Sequence, residues 1–213
     1  MDQPSGTGPE AKFDKTSTLC SLGPRPQIVT GFLRQWFINH FADPDNIEAQ
    51  ELRGYLWKAV NTTNGIEIES ITRWKPESTE KRPGIIIKRN DWKVLRHGID
   101  DRMMGQHSFS GIQHYSTFLE GSHTLFCLSN LALEAEILCG EVYREMMQFG
   151  PAIRKELDLK RFVLVGVGSL FKLEEARENY AVPVTVAYAL EDSWELIPHG
   201  PLIKRIVISN FLP

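Results

Sequence analysis

The feature that most constrains this chain is one long apolar stripe at helical spacing, set between stretches whose apolar residues follow a shorter period. Leu131, Ala135, Leu138, Val142, Met146 and Phe149 recur every three or four residues, which places them along one side of a helix. Glu134, Glu136, Glu141, Arg144 and Glu145 read as lying largely off that stripe. Asn130 stands where a cap is wanted and Gly150-Pro151 where a helix stops. The expected helix therefore runs from Asn130 to Phe149, with a short one after it over 152–157. A helix with a single apolar face must be covered, and the flanking β-rich segments are the candidates to cover it.

Two further helices are expected near the N-terminus. Over 27–41, Ile28, Phe32, Leu33, Trp36, Phe37 and Phe41 share one side, and Asp43-Pro44 ends the pattern. Over 47–60, Leu52, Leu56 and Trp57 suggest a second helix. Asn64-Gly65 then marks a turn. Beyond it the period shortens. Strands are expected around Ile66, Ile68 and Ile71, at Ile85-Ile86-Ile87, and again at Trp92, Val94 and Leu95. Residues 98–114 read as a long loop rich in Gly, Ser, His and Asp. Residues 115–128 read as a strand or a hairpin about Gly121-Ser122. The last third reads as strands over 162–168, 182–190 (with Trp194 to Ile197 as an extension) and 203–209, with Val182, Val184, Val186 and Tyr188 turned inward. This order of elements implies an α+β fold: an antiparallel or mixed β-sheet, N-terminal helices, and one long helix packed on a face. Residues 1–24 read as an extended N-terminal arm, and residues 25–213 as a single domain.

Composition narrows the function classes. With 213 residues, 42% hydrophobic and 24% charged, the chain can bury a sizeable core. Its formal net charge of -3 lacks the basic surplus that gripping DNA requires. A neutral or acidic wall would let DNA slide past. Cys20, Cys127 and Cys139 form no CxxC pair and no zinc spacing, so they read as free thiols. The first fifteen residues are polar, so no leader is expected. No window carries the ~20 apolar residues of a membrane span, and synthesis in the cytoplasm is expected.

Catalytic motifs are sparse. Gly166-Val167-Gly168 is a GxG without its third glycine or a following helix, so it does not read as a dinucleotide loop. There is no P-loop, GxSxG or HExxH. His107, His114 and His123 sit near one another, but no acidic pair joins them as metal ligands, and they read as loop or surface residues. Asp100-Asp101-Arg102 reads as a solvated turn, and Trp36, Phe37 and Phe41 as core. The one enzymatic alternative is a metal-dependent nuclease. It would hold a divalent ion on Asp91 and on Glu67 or Glu69, with Lys93 near the attacking water. Alternating glutamates on a strand more often form its solvated side, so no catalytic, cofactor or metal residue is assigned.

The element order resembles that of tailed-bacteriophage tail terminator and neck (head-tail joining) proteins. The resemblance rests on an opening helix, the segment Arg82-Pro83-Gly84-Ile85-Ile86-Ile87 leading into the sheet, the helix Asn130 to Phe149, and the closing strands. It covers about residues 25–210 and rests on general texture, without a diagnostic motif. The chain is longer than the smallest terminators, and its loop at 98–114 is large. The resemblance implies a non-enzymatic virion protein without cofactors. It would form a ring with itself, usually a hexamer, that ends the tail tube and joins it to the head connector. Its neighbours would be neck or connector proteins and tail tube or sheath proteins, with DNA passing through the lumen and no membrane contact. A non-ring interaction module is the other non-enzymatic reading.

Overall fold

The computed structural model describes residues 20–21, 25–58, 65–75, 83–95, 103–106, 113–173 and 179–196, with backbone alone for 20–21, 103–106, 113 and 195–196. These residues form an α+β fold built on a mixed sheet. The chain divides into two compact units. The larger comprises Gly23–Leu95 and Phe118–Glu191, and the smaller Met1–Leu22, Arg96–Thr117 and Asp192–Pro213. A single domain from residue 25 onward was the expectation. The long strands β5 (Gln113–Ser129) and β8 (Tyr180–Leu196) contribute to both units.

In the larger unit, α1 spans Pro26–His40. Proline at the first helical position suits the preset φ and the N–H that would go unbonded there. The expected second helix is absent. Residues 44–46 and 50–52 form single 3-10 turns, 53–54 make a turn, and 55–58 carry no regular secondary structure. Pro44 and the cap from Asp43 to the Asp45 N–H (3.0 Å) favour a tight turn, and only Leu52 of these two turns is buried. Leu52, Leu56 and Trp57 still pack on the core, but the Trp57 N–H bonds to the Phe41 carbonyl at 2.8 Å and the Tyr55 carbonyl accepts from Ile66, so these groups take partners outside a helix. Residues 59–60 lie outside the described residues.

Strand β2 (Glu67–Ser70) pairs in parallel with β3 (Gly84–Leu95), Ile68 opposite Ile85. β3 joins what the sequence suggested were two strands, with a bulge between Arg89 and Trp92. β3 pairs antiparallel with β5 from Gly84↔Leu128 to Leu95↔Phe118. β5 shows no hairpin at Gly121-Ser122. Glycine is required there for packing: a Cβ on Gly121 would stand 2.7 Å from the Tyr188 hydroxyl oxygen. β5 neighbours β8, which on its far side carries β6 (Arg161–Val167) and β7 (Phe171–Lys172).

The second glycine of the GxG is explained by this arrangement, while a Cβ on Gly166 would meet nothing within 4 Å. Between β6 and β7 the Gly168 N–H donates to the Pro183 carbonyl at 2.8 Å, and a Cβ on Gly168 would meet the Pro183 ring at 2.6 Å. Pro183 has no N–H to give a neighbouring strand, and the junction of two short edge strands is where its absence costs least.

Helix α2 runs unbroken over Ala132–Glu156, through Gly150-Pro151, so the expected stop and separate short helix are one helix. The proline removes one N–H but leaves the last turn anchored by buried Ile153 and Leu157. The two helices share one core with one side of the sheet. Val29, Leu33 and Phe37 of α1 and Leu138, Val142 and Met146 of α2 pack with Ile85, Ile87, Leu125 and the even-numbered residues Val182 to Leu190 of β8. Each such side chain contributes ~1.5–3 kcal/mol by leaving water. A smaller cluster of Ile86, Leu128 and Ala181 belongs to the opposite parity of the same strands.

The smaller unit contains β1 (Cys20–Ser21), β4 (Met103–Gln106) and the ends of β5 and β8. Cys20 stands opposite Trp194, Met103 opposite Tyr115, and the Tyr115 and Trp194 rings stack 5.6 Å apart. The expected loop at 98–114 therefore holds a strand, and residues 113–114 already belong to β5. Most of the expected arm 1–24 and the whole expected strand 203–209 lie outside the described residues.

Candidate functional site

Three regions of the larger unit hold the features from which function can be argued. The first is a polar cleft of about 470 Å³ beside α2, lined in part by Trp36, His40, Glu141, Arg144 and Glu145. His40 ends α1, and Glu141 and Glu145 are one turn apart on α2. Glu141 is 4% exposed and both His40 and Glu145 are 8% exposed. The expectation that these glutamates lie off the buried stripe is overturned. They stand three and seven residues after Leu138, so a slightly wider helical face takes them in.

Every carboxylate oxygen in this cluster is engaged. Glu141 Oε1 contacts His40 Nε2 and accepts from the Glu48 N–H, both at 3.1 Å. Its Oε2 accepts from the Ala49 N–H at 3.3 Å and from Arg144 at 3.5 Å. Trp36 Nε1 donates to Glu145 Oε1 at 2.8 Å, and Glu145 Oε2 lies 3.3 Å from His40 Nδ1. Arg144 also pairs with Glu48. A carboxylate has no proton to offer. His40 thus bonds to both acids only when each ring nitrogen carries a proton or one acid keeps its own. The cluster ties α1, the 48–49 segment and α2 together, and each oxygen of Glu141 and Glu145 takes part in doing so. Among the described residues no group of three or more His, Cys, Asp or Glu is arranged to hold a metal ion.

The second region is under α1. His123 on β5 is fully buried, and its Nε2 lies 2.7 Å from the Thr30 hydroxyl, which in turn donates to the Pro26 carbonyl at 3.2 Å. With the Thr30 proton committed, His123 donates from Nε2 and its Nδ1 lone pair has no partner among the described residues. Burial, and then the Arg89 cation on the neighbouring strand, lower the His123 pKa to about 4. Tyr188 lies beside it, ring centroids 5.4 Å apart, with a buried hydroxyl that has no partner among the described residues and a pKa that burial raises to about 12. Both groups are held neutral at pH 7.

The third region is the outer surface and the sheet edges. Val165 and Val167 of β6 are 61% and 46% exposed, and Leu133, Tyr143 and Met147 lie exposed along the outward side of α2. Trp92 and Val94, past the bulge in β3, are also exposed. Contiguous exposed apolar side chains of this size mark contact surfaces more often than chance.

The acidic residues weighed for a metal site do not converge. Glu69 accepts a two-point bond from Arg34 of α1, at 3.1 and 3.0 Å. Glu67 and Glu69 pair in register with Gly84 and Ile86, whereas Asp91 and Lys93 lie past the middle of β3. At ~3.3 Å per residue, Asp91 is ~16 Å along the strand from the partner of Glu69. The four residues are not brought to one point. His114 belongs to the smaller unit and His123 to the larger. His107 and Asp100 to Arg102 lie outside the described residues. Phe37 and Phe41 are core as expected, while Trp36 lines the polar cleft and gives its N–H to Glu145. The His40 cluster was missed because its members are about a hundred residues apart in sequence. The i, i+4 glutamates beside the stripe were the available signal.

Compared with known protein families and with curated proteins, the sequence matches none of them.

Proposed function

We propose that this chain is a non-enzymatic structural subunit of a tailed-phage virion, which joins copies of itself into a ring where the neck meets the tail. The observation that carries this reading is the open edge of β6. Among the described residues β6 pairs with β8 alone, and it carries exposed Val165 and Val167. Such an edge is a template for another strand, and proteins that work alone blunt theirs with charge, proline or a cover. Beyond β8, β5 and β3 stands β2, which among the described residues pairs with β3 alone and so offers a second edge. Joining one edge of a copy to the opposite edge of the next is a head-to-tail contact, and rotation between copies closes such contacts into a ring. The apolar outer side of α2 adds area to that contact.

The element order that resembles tail terminators supplies the place in the particle. The net charge of -3 suits a lumen that lets DNA pass without holding it. In this reading the neck or connector lies on one side of the ring, the tail tube or sheath on the other, and six copies is the expected number. The polar cluster at His40 is then a brace that keeps α2 fixed while its outer side is loaded.

Mass photometry of the purified protein, alone and mixed with purified tails, tests this. The wild type is expected as a closed multimer in one of the two settings. Val165→Lys, which places a charge on the edge strand, is expected as a folded monomer in both. A wild type that stays monomeric in both, or a Val165→Lys variant that still assembles, overturns the proposal.

A further inference from the structure

The side of the sheet away from the helices carries a hollow of about 390 Å³. Its floor is Ile86 of β3 with Phe126 and Leu128 of β5, residues of one parity on paired strands. Two short segments raise its walls. After β2, the Ile71 N–H donates to the Ile87 carbonyl and the Trp74 N–H to the Ser70 carbonyl, both at 3.0 Å, and this turn sets Ile71 and Trp74 beside the floor. β7 stands on the opposite side, beyond β8. Its Phe171 meets Phe126 edge-on, ring centroids 6.4 Å apart, and small Ala181, the partner of Phe171 on β8, leaves room for that reach. Apolar surface is left open here: Ile71 is 40% and Phe171 39% exposed.

The polar side chains of the hollow are donors only. Lys88 follows Ile86 at the next position of the same parity on β3, and Lys172 belongs to β7. The Lys172 Nζ lies 5.1 Å from the centre of the Tyr180 ring, which steadies the ammonium without using its N–H donors. Among the described residues neither lysine pairs with a carboxylate, and the Trp74 indole N–H has no acceptor. No Asp or Glu lines the hollow.

We propose that this hollow binds a single-chain alkyl carboxylate, the chain lying on the Ile86, Phe126 and Leu128 floor and the head drawn to the ammonium groups of Lys88 and Lys172. The volume falls within the range of small-ligand pockets, about 300–1,000 Å³. Two cations without a facing acid favour an anionic head and repel a cationic one. The chain is favoured over a peptide by the backbone. β3 and β5 spend their backbone groups on each other along this floor, so a peptide laid there would bury N–H and C=O groups without partners. An alkyl chain brings no such groups. The inference concerns a single subunit and does not rest on the ring reading.

Isothermal titration calorimetry of the full chain at low ionic strength tests it, with hexanoate, octanoate, 1-octanol and octyltrimethylammonium as probes. Octanoate is expected to bind on the order of tenfold more tightly than hexanoate, from two further buried methylenes. Octyltrimethylammonium is expected not to bind. Both lysines are exposed, so Lys88→Gln/Lys172→Gln is expected to fold; it should weaken octanoate by about tenfold and leave 1-octanol unchanged. Phe171→Ala, which lowers a wall at an exposed position, is expected to weaken octanoate and 1-octanol alike. The proposal is overturned if octanoate does not bind, if octyltrimethylammonium binds equally well, or if neither variant alters octanoate binding. An octanoate-blind wild type whose multimer, seen by mass photometry, is broken by Phe171→Lys also overturns it and gives the hollow to a neighbouring copy.

Discussion

The two buried histidines of the larger unit meet opposite surroundings. His40 stands between two glutamates, and those glutamates also hold an indole N–H, two backbone N–H groups and Arg144. His123 has one hydroxyl on one nitrogen, an unpartnered lone pair on the other, and a cation nearby. The difference teaches how a buried ring is made tolerable. Where acids are close, polar groups are drawn into a closed network, and the network fastens separate segments of chain. Where none is close, the ring is kept neutral and behaves much like an apolar side chain. The first arrangement is expensive to break and the second is sensitive to acid.

The largest test of that contrast removes the centre of the network. Glu141→Ala leaves His40 Nε2 and two backbone N–H groups without their acceptor and Arg144 with Glu48 alone, and is expected to cost ~3–5 kcal/mol in urea unfolding. A loss below ~1 kcal/mol would show that water replaces the carboxylate and that the network is not a brace.

The next test uses pH. His123 binds a proton in the unfolded chain below about pH 6.5 but in the folded chain only below about pH 4. Within that window the unfolded state holds more protons, so acid favours unfolding. From pH 6.5 down to 4 this one ring is expected to remove about 3 kcal/mol of stability, and nothing further below both values. His123→Gln keeps a donor for Thr30 and cannot titrate. The difference between its stability curve and that of the wild type should therefore trace this slope, and two parallel curves would sink the assignment.

The smallest effect is expected at Tyr188→Phe. The substitution deletes a buried hydroxyl that has no partner among the described residues, so the stability should change by less than about 1 kcal/mol in either direction. A loss beyond about 2 kcal/mol, on the order of a desolvated unpaired group, would reveal a partner such as a buried water shared with His123.

Much of the fold was legible because period alone fixes it. The helix at 27–41, the inward face of Val182 to Tyr188 and the β-branched run at 85–87 all come from local spacing. Two of the differences share one cause. Gly121-Ser122 and Gly150-Pro151 are punctuation by local rules, yet β5 and α2 run straight through them. Packing outweighed the local preference. At Gly121 the missing Cβ makes room for Tyr188, and beyond Gly150 buried Ile153 and Leu157 hold the helix in place.

The sequence by itself determined the elements and the α+β class, because apolar period and propensity act between near neighbours. Tertiary structure alone decided which polar groups meet: His40 with Glu141 and Glu145, and His123 with Thr30 and Tyr188. Those meetings depend on how α1 and α2 lie across β3, β5 and β8, and no short-range spacing encodes a contact between residues brought together only by folding.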